Sequence, residues 1–351
     1  MKIFFKITLT TFLTAFIFST VTTLSFAADD TNTQLDPDCP QEYFYRGYDY
    51  VMGNPVVNGG DPGWRLPIIL NGQEALTCHW AQASGGYRYY ETTNELAYYK
   101  QLDQKVTVFE YIGEEDMLKP TAFTGSADFE YQRRDVFDND LINIQSEAWI
   151  QQFDGMIAPY PGGYIFSPDF LSALAEFPVS TEELDWFDKV KIFFTNYGTH
   201  MMGKSSLGAL WIYESQFTKE NYLELALTGD LYVGLTASAE YYRSNGASVA
   251  YESERNTKAR LMVERYAEKQ RPISVGTQPP SDAHFTEFLG EWDDVMEPIP
   301  TSFDLNAISE LLSADMFPND PDIESKRKVM EAGYRLYCDS IANCHIPVSL
   351  D

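Results

Sequence analysis

The chain is poor in the residues that build most catalytic and metal sites. It holds four histidines and four cysteines in 351 residues. Cys39, Cys78, Cys338 and Cys344 form no Cys-x-x-Cys, and His79, His200, His284 and His345 are scattered. Cys78-His79 and Cys344-His345 are adjacent pairs, whose side chains do not easily converge on one ion, so no metal centre is expected. There is no His-Glu-x-x-His, no Gly-x-Ser-x-Gly, no phosphate loop and no Cys/His dyad in a recognisable setting. The sequence therefore offers no catalytic residues, and neither enzymatic activity nor a cofactor is expected. Glu114, Glu115 and Asp116 read as a solvated loop rather than a catalytic pair.

Positive charge is also short. Lys and Arg number 25 against 52 Asp and Glu, for a net charge of −27. That balance repels nucleic acid and anionic lipid headgroups, which excludes both as primary partners. Long apolar runs are missing beyond the N-terminus, where no segment reaches the roughly 18 uncharged residues of a membrane-spanning helix. The N-terminus itself differs. Lys2 and Lys6 precede the uncharged stretch 7–26, and Ser25 and Ala27 place small side chains where a signal peptidase reads. Residues 1–27 are thus expected to be a secretory signal peptide, with an uncleaved anchor as the rival reading. Its removal takes the charge from −27 to −29. In an exported chain four cysteines read as disulfides with three possible connectivities, of which local pairing, Cys39–Cys78 and Cys338–Cys344, is expected.

What is present is mostly strand, turn and amphipathic helix. Residues 28–42 form a polar leader, 43–345 run without a convincing linker, and 346–351 are a tail. Turn clusters at Asn58-Gly59-Gly60-Asp61-Pro62-Gly63 and Asn71-Gly72 punctuate a Tyr-rich strand region. Ser167-Pro168 starts a helix carrying Phe170, Leu171, Leu174 and Phe177 on one face. Ser180 with Glu183 makes a capping box for a second helix, striped by Leu184, Phe187, Val190 and Phe194 and closed by Gly198. Leu305, Ile308, Leu311 and Leu312 suggest another helix, as do Val329, Gly333, Leu336 and Tyr337. Trp211 lies in a run, 207–213, apolar on both parities, and is expected in the core.

The longest regular pattern alternates. Gly229, Leu231, Val233, Leu235, Ala237, Ala239 and Tyr241 are apolar or small, and the residues between them are mostly polar. Thr257, Ala259, Leu261 and Val263 continue the alternation beyond Ser244-Asn245-Gly246. A three-residue turn there pairs Tyr241 with Val249, Val233 with Thr257 and Leu231 with Ala259, keeping one face apolar. The pattern predicts one very long hairpin.

Asn196-Tyr197-Gly198-Thr199-His200, at the end of an amphipathic helix, resembles the signature of the membrane attack complex/perforin family. Three more segments lie in the family's order. Gly47-Tyr48-Asp49-Tyr50-Val51-Met52-Gly53-Asn54-Pro55 resembles its opening, 167–174 the helix before the signature, and Trp292…Pro298…Leu305…Leu311-Leu312 its closing segment. Met201 stands where the signature prefers an aromatic, and Gly208-Ala209 and Gly276-Thr277 stand for its glycine pairs. The resemblance implies an α+β fold, a bent and twisted four-stranded antiparallel sheet flanked by two helical clusters. It implies hinges at Gly208, Ala209 and Gly276, and clusters that unfurl as β-hairpins after ring assembly on a target membrane. By order those hairpins are 126–149 and 237–262, with Phe129, Tyr131, Ala239, Tyr241, Val249 and Tyr251 on the lipid side. His200 is expected to be a buried structural histidine, with a pH trigger as the sharper alternative. The function implied is a secreted pore-former, against which stands a non-lytic adhesion, signalling or developmental protein on the same fold.

Overall fold

The computed structural model describes residues 24–25, 38–56, 60–72, 75–109, 123–157, 163–246, 253–281 and 288–341. Its centre is an antiparallel sheet of four long tracks. β5 (Leu76–Thr92), β7 (Leu141–Ile157) and β9 (His200–Thr218) run side by side. The fourth track is split between β10 (Lys269–Val275) and β11 (Ile299–Ala307), both paired with β9. Short strands extend it: β1 (Leu24–Ser25) on β5, β2 (Arg46–Tyr48) between β9 and β3 (Trp64–Pro67), and β6 (Val106–Phe109) parallel to β11. β4 (Ile69–Asn71) and β8 (Ile165–Phe166) form a separate ribbon. The α+β, mainly antiparallel architecture expected from the sequence is present.

Helices cover both faces. α1 (Glu95–Asp103), α2 (Ala127–Tyr131) and two short turns at 132–139 form a first cluster between β5 and β7. α5 (Lys219–Thr228), α6 (Leu231–Arg243) and α7 (Glu254–Tyr266) form a second between β9 and β10. α3 (Pro168–Ala175) and α4 (Trp186–Tyr197) precede β9, α8 (Phe288–Val295) divides the fourth track, and α9 (Ile323–Ser340) follows it. Strand alternation gives each cluster a different floor. Ile142, Ile144, Ala148 and Ile150 of β7, with Trp211, Tyr213 and Phe217 of β9, pack under the second cluster. Asn143, Gln145 and Glu147, with Glu214 and Gln216, are buried on the opposite face, under the first. This places Trp211 in the core, as its two-sided apolar run predicts.

Three local expectations are corrected. The long hairpin is absent: 231–243 and 254–266 are helical, so Val233 and Leu231 do not sit across strands from Thr257 and Ala259. A stripe at i, i+4 and i+8 falls within the odd positions of a period-two pattern. Leu231, Leu235, Ala239 and Arg243 are therefore buried together on α6, and the alternation reads equally as a helix face. Leu305 is in β11 and only 308–311 turn as a short 3₁₀ helix, because β9 offers that backbone a ladder. Glu183 accepts from the N–H groups of Val179 and Ser180 as a capping box would. Asp185, at φ 60°, breaks the continuation, so α4 begins at Trp186 and Leu184 stays 85% exposed.

The remaining helix signals hold. Ser167 precedes α3, Gly198 caps α4 with φ 77°, and Gly333 lets α9 approach Val190. Cys39 and Cys78 are disulfide-bonded with Cα atoms 6.3 Å apart, tying the leader to β5. Cys338 is also in a disulfide; Cys344 lies outside the described residues. Among the described residues no helix is long and apolar enough to cross a membrane.

Candidate functional site

The four motif segments, spread between residues 47 and 312 of the sequence, converge at one end of the sheet. Thr199 is their junction. Its N–H donates to Tyr48 O at 3.0 Å, and its carbonyl accepts from Ile308 N–H at 3.0 Å and Tyr334 Oη at 2.8 Å. Its Oγ1 accepts from Tyr50 N–H at 3.0 Å. Opening strand, signature, closing segment and α9 thus meet on one residue. Two glycines allow the approach. A Cβ on Gly47 would lie 1.5 Å from Tyr197 O, and one on Gly198 2.5 Å from the Tyr48 carbonyl. Tyr197 closes the junction from α4, edge-on to Phe170.

Charge anchors the same junction. Asp49 is fully buried, and its Oδ1 accepts from the N–H groups of Val51 and Met52. Its Oδ2 accepts from Arg65 Nη2 at 2.8 Å and Tyr337 Oη at 2.7 Å. Asp61 accepts from Tyr48 Oη and from the N–H groups of Asn54 and Gly63; burial pushes its carboxyl up, against these donors. His200 stacks on Tyr334 and meets Tyr50 at a tilt, and its Nδ1 is 2.8 Å from Thr199 Oγ1. Its Nε2 is buried without a protein hydrogen bond, and burial pushes the imidazole pKa down to about 3. The ring is neutral at physiological pH, as a structural histidine would be.

A second feature is a crease running across the sheet. β5 shifts register between Trp80 and Ser84, and β7 between Gln151 and Phe153. On β9 the partner changes at the same level, Leu210 facing Val275 of β10 and Gly208 facing Ile299 of β11. Bulges bend strands and sharpen twist, and here those of β5 and β7 align with the break between β10 and β11 in the fourth track. Gly208 lies in the crease because a Cβ would sit 1.9 Å from Ile150 O. Gly276 leaves β10 at φ 81°, near Gly208 and Ala209. Ala209 fills space: its methyl is buried beneath Trp292 of α8 together with Ile150 and Trp211.

The residues expected to insert are divided. Phe129, on α2, is buried against Tyr98. Tyr131, two residues on, sits under Lys269 and Arg271, 4.6 and 4.5 Å from its ring centroid. Ala239 points into the sheet, whereas Tyr241 holds the Arg260 guanidinium 3.9 Å above its ring, so helix geometry separates what strand parity would join. Val249 and Tyr251 lie outside the described residues, as does the acidic run 114–116. The segment 126–149 straddles a boundary, 126–140 belonging to the cluster and 141–149 to β7.

Sequence reasoning missed the charged floor beneath the first cluster. Glu147 accepts from Lys105 Nζ at 2.7 Å and from Arg88 across the β5–β7 pair. Burial alone would raise its pKa, but the two cations hold it below the usual carboxylate range. Glu214 accepts from Gln132, Asn143 and Gln145 at 2.9, 3.1 and 2.6 Å and pairs with Arg271. The available signal was a carboxylate directly after the apolar run 207–213 of β9, since buried charges occur with partners. Among the described residues no group of His, Cys, Asp and Glu could hold a metal ion.

The comparisons agree with this geometry. The MAC/Perforin domain model matches residues 41–340. No curated protein matches the chain. Of solved structures, GNIP1Aa from Chromobacterium piscinae is similar at 13% identity and TM-score 0.54, covering 86% of this chain and 56% of that one. A protein with a MAC/Perforin domain from Bacteroides thetaiotaomicron is similar at 9% identity and TM-score 0.47, over 86% and 61%. Astrotactin-2, described as a vertebrate-specific, perforin-like membrane protein involved in neuronal development, is similar at 10% and 0.40, over 83% and 96%. The chain thus spans less than two thirds of the first two. With the family match extending from the opening strand to α9, the chain belongs to the MAC/Perforin family.

Proposed function

We propose that this is a secreted pore-forming protein that binds a target membrane, assembles into a ring and inserts two β-hairpins. One observation carries the reading. Each helical cluster interrupts a pair of long neighbouring strands, 93–140 between β5 and β7 and 219–268 between β9 and β10. Extending those strands through the clusters would lengthen the same sheet, and each insert exceeds the roughly 18–22 residues of a spanning hairpin. The crease supplies a place for the sheet to open. In the β5-β7-β9-β10 order, β5, met by β1 only at Ser84 and Gly85, and β10 lie on opposite sides, an arrangement suited to head-to-tail rings. The net charge of −27 argues for a zwitterionic headgroup, a glycan or a receptor as the membrane target.

Dye release from liposomes and target-cell membranes, with negative-stain images of the same samples, tests the reading. Extended as a strand, 237–252 places Val249 on the lipid face and Ser248 on the lumen face. An arginine at a barrel midplane on the lipid side costs about 2–4 kcal/mol. Val249→Arg should therefore abolish leakage while binding persists, and Ser248→Arg should leak like wild type. Absence of rings and leakage at micromolar protein on every membrane tried would leave the non-lytic reading in place.

A further inference from the structure

The two clusters are held to the sheet by different physics. Beneath the second, release would expose Trp211, Tyr213, Phe217, Ile142 and Ile144 to water. Beneath the first, release would uncover amides and charges, which water solvates well. Beside the apolar packing of Tyr98, Leu102 and Phe129, polar contacts hold the first cluster to the sheet, and several of them converge on one side chain.

Arg271 of β10 faces Glu214 of β9 in register and pairs with it through Nε. Its Nη2 reaches Asp128 Oδ1 of α2 at 3.1 Å. Its guanidinium also lies over Tyr131, one helical turn from Asp128. Asp128 is 8% exposed at its side chain, and its other oxygen accepts from Tyr98 Oη of α1 at 2.7 Å. Gln132, next along the chain, donates to the carboxylate that Arg271 neutralises. One guanidinium thus grips two residues of α2 directly and a third through Glu214.

We propose that Arg271 pins the first helical cluster to the sheet, and that this cluster detaches independently of the second when the pin is lost. Release through Arg271 strands no buried charge. Asp128 passes into water, while Arg271 keeps Glu214 as its cross-strand partner. Arg88 and Glu147, opposite one another on β5 and β7, do the same when Lys105 departs. The purpose of such a pin rests on the pore-forming reading, but the pinned state belongs to the monomer and is measurable without a membrane.

Hydrogen–deuterium exchange of the purified full chain in buffer provides the test. In Arg271→Met, exchange of 127–140 should rise by about tenfold or more, while 231–243 and 254–266 keep their wild-type protection. Arg271→Lys, which retains the charge but cannot bridge Glu214 and Asp128 together, should fall between. If Arg271→Met does not fold, Asp128→Asn decides the matter. It keeps a partner for Tyr98, removes the ion pair, and should raise exchange in 127–140 alone. Unchanged exchange there, or a rise shared by α6 and α7, overturns the proposal. Local release in a protein that never forms a pore would sink the pore reading and leave the pin standing.

Discussion

His200 should make the fold lose stability in mild acid, by an amount that follows from its surroundings. The folded protein holds the imidazole neutral, with a pKa of about 3 against an ordinary 6.5, because the ring is fully buried. The unfolded chain takes up a proton below pH 6.5 and the folded chain does not, so acid selects the unfolded state. The contribution is fully present above pH 6.5 and is lost at about 1.4 kcal/mol per pH unit as pH falls toward the folded value. At pH 5 the loss is about 2 kcal/mol, a figure insensitive to the folded pKa so long as that lies well below 5. His200→Phe keeps a ring between Tyr50 and Tyr334 and cannot titrate. The carboxyls of Asp61 and Asp128, raised by burial, act in the opposite direction, and Glu147 adds loss only below its ordinary range. All three are common to both proteins and cancel in the difference. Urea denaturation of wild type and His200→Phe at pH 7.5 and 5.0 should show wild type losing about 2 kcal/mol more than the variant. Equal pH dependence would refute a neutral, buried histidine.

Glu147→Ala leaves Lys105 buried without its carboxylate and should destabilise by about 3–5 kcal/mol. Adding Lys105→Met should recover much of that in urea titrations, and a neutral single variant would show that the pair is not buried as described. Replacing Cys39 and Cys78 by serine opens a bridge with a sequence separation of 39, which the chain-entropy relation values at about 4 kcal/mol. Thermal denaturation under non-reducing conditions should fall accordingly, and an unshifted midpoint would mean that the bridge adds nothing.

The parts legible in the sequence were those written locally or carried by motif. Ser167-Pro168 and Gly198 mark helix ends through their own backbone preferences, and the Tyr197–His200 signature with Gly47–Asp49 carried the family resemblance, whose segments the fold brings together around Thr199. What was not legible depended on partners far along the chain. Alternation from 229 to 241 could not distinguish strand from helix, because burial at 231, 235, 239 and 243 satisfies both periods. Leu305 reads as helical until β9 is known to lie beside it. Glu214 belongs to no motif and no periodic pattern of the sequence. Its meaning came from Arg271, Gln132, Asn143 and Gln145, none of which is predictable from spacing.

Were the crease to straighten, the sheet beyond it would act as a lever. From Ala209 to Thr218 the strand extends about 30 Å at roughly 3.3 Å per residue. Each degree of straightening at Gly208 and Gly276 therefore swings the far end, where both helical clusters are rooted, through about half an ångström. Trp292 sits over the fulcrum, wedged against Ala209 and Ile150, with its Nε1 donating to Thr277 O at 2.9 Å. Movement of that one indole by a fraction of its width would be multiplied into displacements comparable to a side chain's length at the ends of β7 and β9. Gearing of this kind lets a slight repacking at mid-sheet decide whether the helices thirty ångströms away keep their footing.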